Sequence, residues 1–274
     1  MEPKVIVITG ASDGIGAAGA AQLHERGHTV VVIGRSPAKT EAVAEELGAR
    51  SYTADFAVLD DVRRLAADLR RDLPRIDVLA NNAGGIFGDR EVTADGHEKT
   101  MQVNHLAPFL LTNLLVDVLV DSRATVINTS SVAHSFFSKF DIEDIEVTKG
   151  YSPQVAYGNA KLENILFTKE LHRRFHDQGI STAAFHPGGV ATNFASEAKG
   201  VMRFAYHTPL RRLFLISPAK GADTLVWLAS SEPGRDWVSG EYYYKRKIKA
   251  PTEQATDPDL AQRLWEQSTS LCGL

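Results

Sequence analysis

Short apolar strands alternate with helical segments along almost the entire chain. Candidate strands lie at 4–9, 29–33, 50–53, 76–80, 125–129, 181–185 and 240–244. Candidate helices lie at 15–26, 38–47, 59–72, 97–119, 154–177 and 218–230, with a small closing helix within 257–271. Such regular alternation is typical of right-handed strand–helix–strand units around a parallel sheet with helices on both faces. The sequence therefore predicts an α/β fold: one domain over residues 1–274, with a doubly wound, mostly parallel sheet of seven strands.

Charge and cysteine content exclude several classes of protein. The formal net charge is -4 and the pI is near 6.1, which gives no electrostatic case for nucleic-acid binding. Cys272 is the only cysteine, so disulfides and cysteine-based metal sites within the chain are excluded. The first strand begins almost at Met1, and no apolar run is long enough to span a membrane. We expect a cytoplasmic protein without an integral membrane segment.

A short basic run occupies residues 245–249. We interpret it as a solvated strand end. Binding of an anion or a membrane surface is the alternative, and the sequence leaves it open.

A glycine-rich loop joins the first predicted strand to the first predicted helix. It consists of Thr9, Gly10, Ala11, Ser12, Asp13, Gly14, Ile15 and Gly16. Glycines at this spacing let the backbone approach a pyrophosphate closely, and the helix N-terminus supplies amide donors and partial positive charge. A plain tight turn would not require three glycines. The loop therefore predicts a dinucleotide-binding site.

The end of the second strand favours NADP over NAD as the cofactor. NAD sites usually place Asp or Glu here to accept from the ribose hydroxyls. This chain instead has Gly34, Arg35 and Ser36. The Arg35 guanidinium can bind a 2′-phosphate in bidentate fashion, and Ser36 can add a donor. Asp13 is at odds with this prediction, because a carboxylate directed at the phosphate would repel it.

Two further strand ends supply residues suited to a nucleotide. Asp55 and Phe56 follow the third strand, where the Asp55 carboxylate either accepts from the adenine amino group or caps a turn. The fourth strand is followed by Asn81, Asn82, Ala83 and Gly84. A paired Asn here either fixes the central sheet or lines the adenosine ribose, and Gly84 permits close approach of the cofactor.

Tyr157 and Lys161 lie four residues apart in a predicted helix, so their side chains share one face about one turn apart. A nearby cation favours phenolate over phenol, so Lys161 is expected to prepare Tyr157 as a proton donor to a developing alkoxide. The same spacing recurs at Tyr243 and Lys247, but that segment is typical of a strand. Simple packing is the alternative role for such a pair in isolation.

The glycine loop, residues 81–84, Ser131, and Tyr157 with Lys161 follow one another in an order that resembles the short-chain dehydrogenase/reductase family. The three-residue gap between Gly10 and Gly14 is similar to the compact branch of that family. Finer likeness to the retinol dehydrogenase-like and WW-domain oxidoreductase-like group lies in 103–112, 128–134, 166–171 and 186–190. The resemblance implies a Rossmann fold and an NADP-linked enzyme that interconverts lipophilic carbonyls and alcohols. An N-terminal anchor and a WW module are not expected, so retinoid specificity is not carried over.

The resemblance also implies roles for catalytic residues. Tyr157 would be the acid in reduction and the base in oxidation, and Lys161 would also bind the nicotinamide ribose. Ser131, rather than Ser130, would orient the substrate carbonyl, since successive residues at a strand end face opposite ways. Asn104 would hold a water in a proton relay; the alternative is an amide that satisfies helix backbone groups. Because Ser131, Tyr157 and Lys161 are all present, an enzyme is favoured over a cofactor-binding sensor or scaffold.

The irregular stretch at 187–216 is too long for an ordinary connection and predicts a lid over the substrate. By resemblance, Pro187 and Gly188 would shape the nicotinamide pocket, with Val190 and Thr192 near the carboxamide. Apolar side chains with interspersed arginines in the lid form an amphipathic pattern that can cover an apolar pocket, with packing on the sheet as the alternative. We therefore expect a small hydrophobic carbonyl or alcohol substrate.

Three histidines, His105, His134 and His186, lie near these motifs but lack metal-ligand spacing, so we predict structural roles and no metal site. Relatives often pair through the helices around His97 and Gln154, which makes a homodimer a possible assembly.

Overall fold

The computed structural model describes residues 2–189 and 216–274. The strands are β1 (Val5–Thr9), β2 (Thr29–Gly34), β3 (Arg50–Thr53), β4 (Val78–Asn81), β5 (Thr125–Thr129), β6 (Ser181–Phe185), β7 (Glu241–Tyr244) and β8 (Lys247–Ile248). The α-helices are α1 (Gly14–Glu25), α2 (Pro37–Leu47), α3 (Leu59–Asp72), α4 (Lys99–Met101), α5 (Ala107–Leu114), α6 (Val116–Asp121), α7 (Ala133–Phe136), α8 (Pro153–Phe175), α9 (Pro218–Gly221), α10 (Asp223–Ser230) and α11 (Pro258–Cys272). A π-helix spans Gln102–Leu106, and 3-10 turns lie at Ile142–Asp144, His176–Gln178 and Glu253–Thr256.

The described strands form one sheet in the order β3-β2-β1-β4-β5-β6-β7-β8. Neighbours from β3 through β7 are parallel, and β8 pairs antiparallel with β7. The doubly wound, mostly parallel fold is confirmed, whereas seven strands is wrong by one. The eighth strand arises because Lys245 and Arg246 adopt left-handed backbone, with φ of 51° and 60°, and reverse the chain in two residues. Neither residue is a glycine or asparagine, so the sequence carries no hairpin signal there.

Each face of the sheet carries its own hydrophobic layer. On β1, Val7 packs in the layer that contains α3, α5, α8 and α11, whereas Ile6 and Ile8 pack in the layer that contains α1 and α10. All three side chains are fully buried. A strand covered on both faces has no solvent-facing positions, which explains the uninterrupted apolar runs in the sequence.

The predicted helix at 97–119 is wrong as a single element, because it is divided into α4, the π-helix, α5 and α6. Pro108 lies at the start of α5. Proline lacks an N–H and its ring crowds the carbonyl four residues earlier, so a regular α-helix cannot run through it unchanged. The wider π-turn absorbs this conflict and contains Asn104, which is fully buried. The predicted helix at 218–230 is likewise divided into α9 and α10, while the other predicted elements match to within a few residues.

Helix α8 is held between the sheet and the C-terminal helix α11. Trp265 of α11 packs against Phe109 and Phe167, with ring centroids 4.9 Å and 5.8 Å apart. Ser152 caps the start of α8 by accepting from the Val155 N–H at 3.2 Å. The 23 residues of α8 thus form a fixed support for the pair at 157 and 161. In the ranges 2–189 and 216–274, no helix combines the length and the apolar character required to cross a bilayer.

Candidate active site

A cleft of 570 Å³ lies at the carboxyl ends of the central strands, where open doubly wound sheets bind their ligands. Its walls bring together most of the residues predicted for cofactor and chemistry. These are Gly10, Ser12, Asp13, Gly14, Ile15, Gly16, Arg35, Asp55, Phe56, Asn82, Ala83, Gly84, Ser131, Tyr157, Lys161, Pro187 and Gly188. Of the other predictions, Thr9, Ser36 and Asn104 are not among the lining residues, and Val190 and Thr192 fall outside the described residues.

Thr9 fastens the glycine loop to the end of β4 from behind. Its hydroxyl donates to the Ala80 carbonyl at 3.3 Å and accepts from the backbone N–H groups of Asn82 and Ala83, both at 3.0 Å. The Asn82 side-chain amide donates back to the Thr9 carbonyl at 3.0 Å. These hydrogen bonds fix the distance between the glycine loop and the end of β4, both of which line the cleft.

Asp13 caps the start of α1 and has a cation beside it. One carboxylate oxygen accepts from the Gly14 N–H at 2.7 Å, and the other lies 3.4 Å from the Lys39 ammonium. Lys39 and Arg35 both line the cleft. Lys39 therefore offsets the negative charge that was at odds with phosphate binding. Lys39 was not among the predicted residues, although a lysine in the first turn of the helix after Arg35 is a signal that could have found it.

At the ends of β3 and β4, Asp55 and Asn81 each form hydrogen bonds to protein groups. Asp55 accepts from the Ala57 N–H at 2.9 Å, which is the turn-capping role, and it also lines the cleft. Asn81 donates to the side chains of Thr112 and Asn128 at 3.0 Å and 2.9 Å. Asn81 thus fixes the centre of the sheet.

Asn104 is held by backbone groups behind Gly84. Its amide donates to the carbonyls of Gly85 and Thr100 at 2.9 Å and 2.7 Å, and its oxygen accepts from the Gly85 N–H at 3.1 Å. A Cβ on Gly84 would lie 2.4 Å from the Asn104 oxygen and 3.1 Å from the Lys161 ammonium. Only glycine therefore fits between Asn104 and Lys161. The amide matches the backbone-satisfying alternative, and a water relay at Asn104 stays a prediction.

Lys161 carries a buried ammonium next to Tyr157. The side chain is 2% exposed, and its Nζ donates to the Thr129 carbonyl at 3.2 Å. The same Nζ lies 5.3 Å from the centroid of the Tyr157 ring. Burial lowers the pKa of Lys161 to about 7, because leaving water disfavours the charged form. A proton at Lys161 is therefore exchangeable near neutral pH.

The two neighbouring serines have different partners. Ser130 is 1% exposed, and its hydroxyl donates to the Lys161 carbonyl at 2.6 Å, so it ties β5 to α8. The Ser131 hydroxyl accepts from the Ala133 N–H at 3.2 Å and keeps its own hydrogen for a donor role in the cleft. This difference favours Ser131 as the residue that meets a substrate.

The cleft also has apolar lining residues that were not predicted individually. Ile86, Phe87, Val103 and Phe137 join Gln154 in its lining. Phe137 is 44% exposed. These residues come from separate segments: the loop after β4, the π-helix, the end of α7 and the start of α8. Their presence in one cleft depends on how these segments pack and leaves no local signal in the sequence. The part of the predicted lid between 190 and 215 lies outside the described residues.

The three histidines near these motifs have different hydrogen-bond partners. His105 lies 2.8 Å from the Ser268 hydroxyl, and burial lowers its pKa to about 4. His134 and His186 lie under the loops after β5 and β6. Within the described part of the chain, no cluster of His, Cys, Asp or Glu has the composition of a metal site.

Comparison with known proteins places this geometry in a family. The family model for the short chain dehydrogenase matches residues 4–200. A Streptomyces sp. (strain C5) protein named "Putative daunorubicin C-13 ketoreductase DnrU" is 40% identical over 277 residues, which are 98% of this chain and 93% of that protein. Retinol dehydrogenase 13 of Homo sapiens is 36% identical over 284 residues, with coverage of 99% and 85%. A solved structure of an uncharacterized Mycobacterium paratuberculosis protein has a TM-score of 0.79 and 31% identity, with coverage of 98% and 93%.

The chain belongs to the short-chain dehydrogenase/reductase family of oxidoreductases. Within that family it lies close to the retinol dehydrogenases, as the resemblance in the sequence predicted. The Rossmann fold and the nucleotide-binding character of the cleft follow from this membership.

Proposed function

We propose that the protein is an NADP-dependent oxidoreductase that interconverts a carbonyl and an alcohol on a small hydrophobic substrate, with Tyr157 as the acid and base. One observation carries this proposal: Ser131, Tyr157 and Lys161 line the same cleft as the glycine loop. A phosphate-binding loop alone would support only nucleotide binding. The same cleft also contains the Tyr157 phenol and the buried Lys161 ammonium, and this combination supports proton transfer to a bound substrate.

The residues present fit a dinucleotide along the whole cleft. The start of α1 and the glycine loop would hold the pyrophosphate, and Arg35 with Lys39 would hold the 2′-phosphate. Gly84 and Lys161 line the cleft side by side, and the Lys161 ammonium would donate to the nicotinamide ribose there. When bound, the nicotinamide supplies or accepts the hydride.

The chain itself would orient the substrate and move the proton. The Ser131 hydroxyl would donate to the substrate carbonyl oxygen, and Tyr157 would transfer its phenolic proton to that oxygen in reduction. The Lys161 ammonium would stabilise the phenolate that remains. In oxidation the same groups act in reverse, with Tyr157 accepting the alcohol proton.

Apolar residues in the lining of the cleft support the choice of substrate. Ile86, Phe87, Val103 and Phe137 favour a hydrophobic molecule around the reacting carbonyl. The Streptomyces relative bears the name of a ketoreductase and the human relative that of a retinol dehydrogenase, and both names agree with a lipophilic carbonyl or alcohol. The cytoplasmic location and the pairing of two copies stay predictions from the sequence.

A turnover assay with matched tyrosine variants tests the proposal. We expect NADPH consumption with members of a panel of hydrophobic aldehydes and ketones, and a loss of about 10³-fold in kcat for Tyr157→Phe, the upper-middle range for loss of a general acid. Tyr52→Phe is the control, since the Tyr52 hydroxyl donates to Asp72 at 2.9 Å outside the cleft. Full turnover by Tyr157→Phe would rule out the proposed acid. Binding of NADPH without turnover of any panel member would favour a cofactor-binding sensor instead.

A further inference from the structure

Four aromatic side chains form a continuous stack beneath the loops after β5 and β6. His186 stacks on Tyr244 with ring centroids 4.0 Å apart and an interplanar angle of 11°. The other neighbour of His186 is Tyr242, at 5.9 Å, and Tyr242 meets the edge of His134 at 5.1 Å. In the parallel register Ala184 pairs with Tyr242, so alternate residues place His186, Tyr242 and Tyr244 on the same face of the sheet.

The two histidines of the stack are hydrogen-bonded to the loops that follow β5 and β6, which carry Ser131 and Gly188. The His186 Nδ1 accepts from the Gly188 N–H at 3.2 Å. The His134 Nδ1–H donates to the Ser131 carbonyl at 2.6 Å. The predicted structural role of these histidines therefore has a specific form: each ring holds one loop by its backbone.

Gly188 has a left-handed backbone, with φ of 89°, which glycine adopts without steric cost. A Cβ at Gly188 would lie 3.3 Å from Ile216 and 3.8 Å from Tyr244. The carbonyl of the next residue, Gly189, accepts from the Ile216 N–H at 2.8 Å. This bond joins the two described residues on either side of 190–215. His186 thus directly precedes Pro187 and Gly188, which line the cleft.

The surroundings of His186 keep Nδ1 as an acceptor. The ring is 5% exposed, and burial, helped by the nearby Lys249 and His134, lowers the pKa of His186 to about 4. The ring is neutral at neutral pH, so its one proton is on Nε2 and the Nδ1 lone pair faces Gly188. The ammonium groups of Lys245 and Lys249 lie 5.1 Å and 5.6 Å from the Tyr244 ring centroid and favour its position.

We propose that His186 is a positioning residue: by accepting from the Gly188 N–H and stacking on Tyr244, it fixes the Pro187–Gly188 turn that forms the nicotinamide end of the cofactor site. This inference rests on the proposed NADP dependence. The turn follows β6 and Arg35 follows β2, and three strands separate β6 from β2 in the sheet, so the turn lies away from the proposed 2′-phosphate site. The effect of His186 should therefore be confined to the nicotinamide half of the cofactor.

Two substitutions at His186 separate the acceptor from the ring. His186→Phe keeps a ring that can stack and removes the acceptor, which leaves the Gly188 N–H without its partner. His186→Asn removes the ring but places an amide oxygen close to the position of Nδ1. We expect His186→Phe to weaken NADPH binding about tenfold, the effect of leaving a partly buried donor unpaired, and His186→Asn to stay within about threefold of the wild type.

Titration calorimetry of the full chain with NADPH and with 2′,5′-ADP compares the affinity for the whole cofactor with the affinity for its phosphate-bearing half. Because 2′,5′-ADP lacks the nicotinamide, its affinity should be the same in the wild type and in both His186 variants. Equal loss of both ligands in His186→Phe, or no loss of either, would overturn the proposal. A wild type that bound neither ligand would instead contradict the proposed NADP dependence.

A substitution at Tyr244 tests the proposal independently if His186→Phe fails to fold. Tyr244 is only partly buried, so Tyr244→Leu should fold while removing the stacking partner of His186. We expect it to weaken NADPH about threefold and to leave 2′,5′-ADP unchanged, whereas Tyr244→Phe, which keeps the ring, should match the wild type. Unchanged NADPH affinity in Tyr244→Leu would count against the stack as the element that fixes the turn.

Discussion

The two halves of the cleft differ in the chemical groups that form them. The nucleotide half, at the ends of β1 and β2, consists of backbone, glycines and exposed charges: Arg35 is exposed, and the side chain of Lys39 is 59% exposed. The chemical half, at the ends of β5 and β6 and on α8, consists of buried polar groups, among them Ser130 at 1% and Lys161 at 2% exposure. Exposed charges interact weakly and independently, whereas buried polar groups are costly unless their partners are in place.

This difference leads to distinct expectations for substitutions. In the nucleotide half a lost side chain should change affinity for one part of the cofactor and leave the fold alone. In the chemical half a lost side chain should change either turnover or folding stability, according to whether it faces the cleft or the protein. Neighbouring residues with the two orientations give the sharpest test.

The largest expected effect distinguishes Ser131 from Ser130. Ser131→Ala should lower kcat/KM by about 10² to 10³, because it removes the donor that would stabilise charge developing on the substrate oxygen. Ser130→Ala should retain nearly full turnover and lose about 1 kcal/mol of unfolding free energy, because its hydroxyl is bonded to the Lys161 carbonyl. Steady-state kinetics and urea denaturation of both variants measure these outcomes. The reverse pattern would make Ser130 the residue that meets the substrate.

In the nucleotide half, Arg35→Ala should weaken NADPH by about 10- to 100-fold and change NADH little, because a bidentate charged contact to the 2′-phosphate is lost. Lys39→Ala should weaken NADPH only a few-fold. Removing Lys39 also leaves the Asp13 carboxylate without the ammonium 3.4 Å away, so the double substitution Lys39→Ala with Asp13→Asn should regain part of that loss. Fluorescence titration with each cofactor provides the affinities. Equal losses for NADPH and NADH in Arg35→Ala would contradict the assignment of the 2′-phosphate site.

The glycine loop and the Tyr157–Lys161 pair could be predicted because both depend on local spacing. A helix fixes which residues share a face, and a strand–glycine–helix order fixes where a pyrophosphate can lie. The preference for Ser131 over Ser130 also comes from a local rule, strand alternation, and it stays a prediction.

Other features depend on which elements become neighbours in space. The stack of His186 on Tyr244 requires β6 beside β7, and Lys39 meets Asp13 only after α1 and α2 are placed. The turn at Lys245 and Arg246 is local, yet neither residue is the glycine or asparagine that usually marks such a turn. Strand order is set by long-range packing of both hydrophobic layers, which no short motif records.

The smallest expected effect compares two buried glutamates on α8, the helix that carries the chemical half. Glu170 has ion partners: Arg173 and Arg174 donate to it at 2.6 Å and 2.7 Å, and although burial raises its pKa, these bonds bring the pKa of Glu170 below its ordinary value. Glu163 is fully buried, and neither carboxylate oxygen has a hydrogen-bond partner among the described residues. Burial, with Glu98 nearby, raises the pKa of Glu163 well above its ordinary value.

The signs of the two effects are therefore opposite. Because Glu163 holds its proton in the folded state after the unfolded chain has released it, its contribution is lost as pH rises above about 4.5, at about 1.4 kcal/mol per pH unit up to the folded pKa. Glu163→Gln, which cannot ionise, should be about 1–3 kcal/mol more stable than the wild type at pH 7 and equal to it below pH 4.5. Glu170→Gln should be about 1–2 kcal/mol less stable at pH 7, with the deficit shrinking as acid protonates Glu170 in the wild type. Urea denaturation of both variants between pH 4 and pH 7 measures these differences in unfolding free energy. If Glu163→Gln were less stable than the wild type at pH 7, an interaction of the Glu163 carboxyl would outweigh the cost of its buried charge.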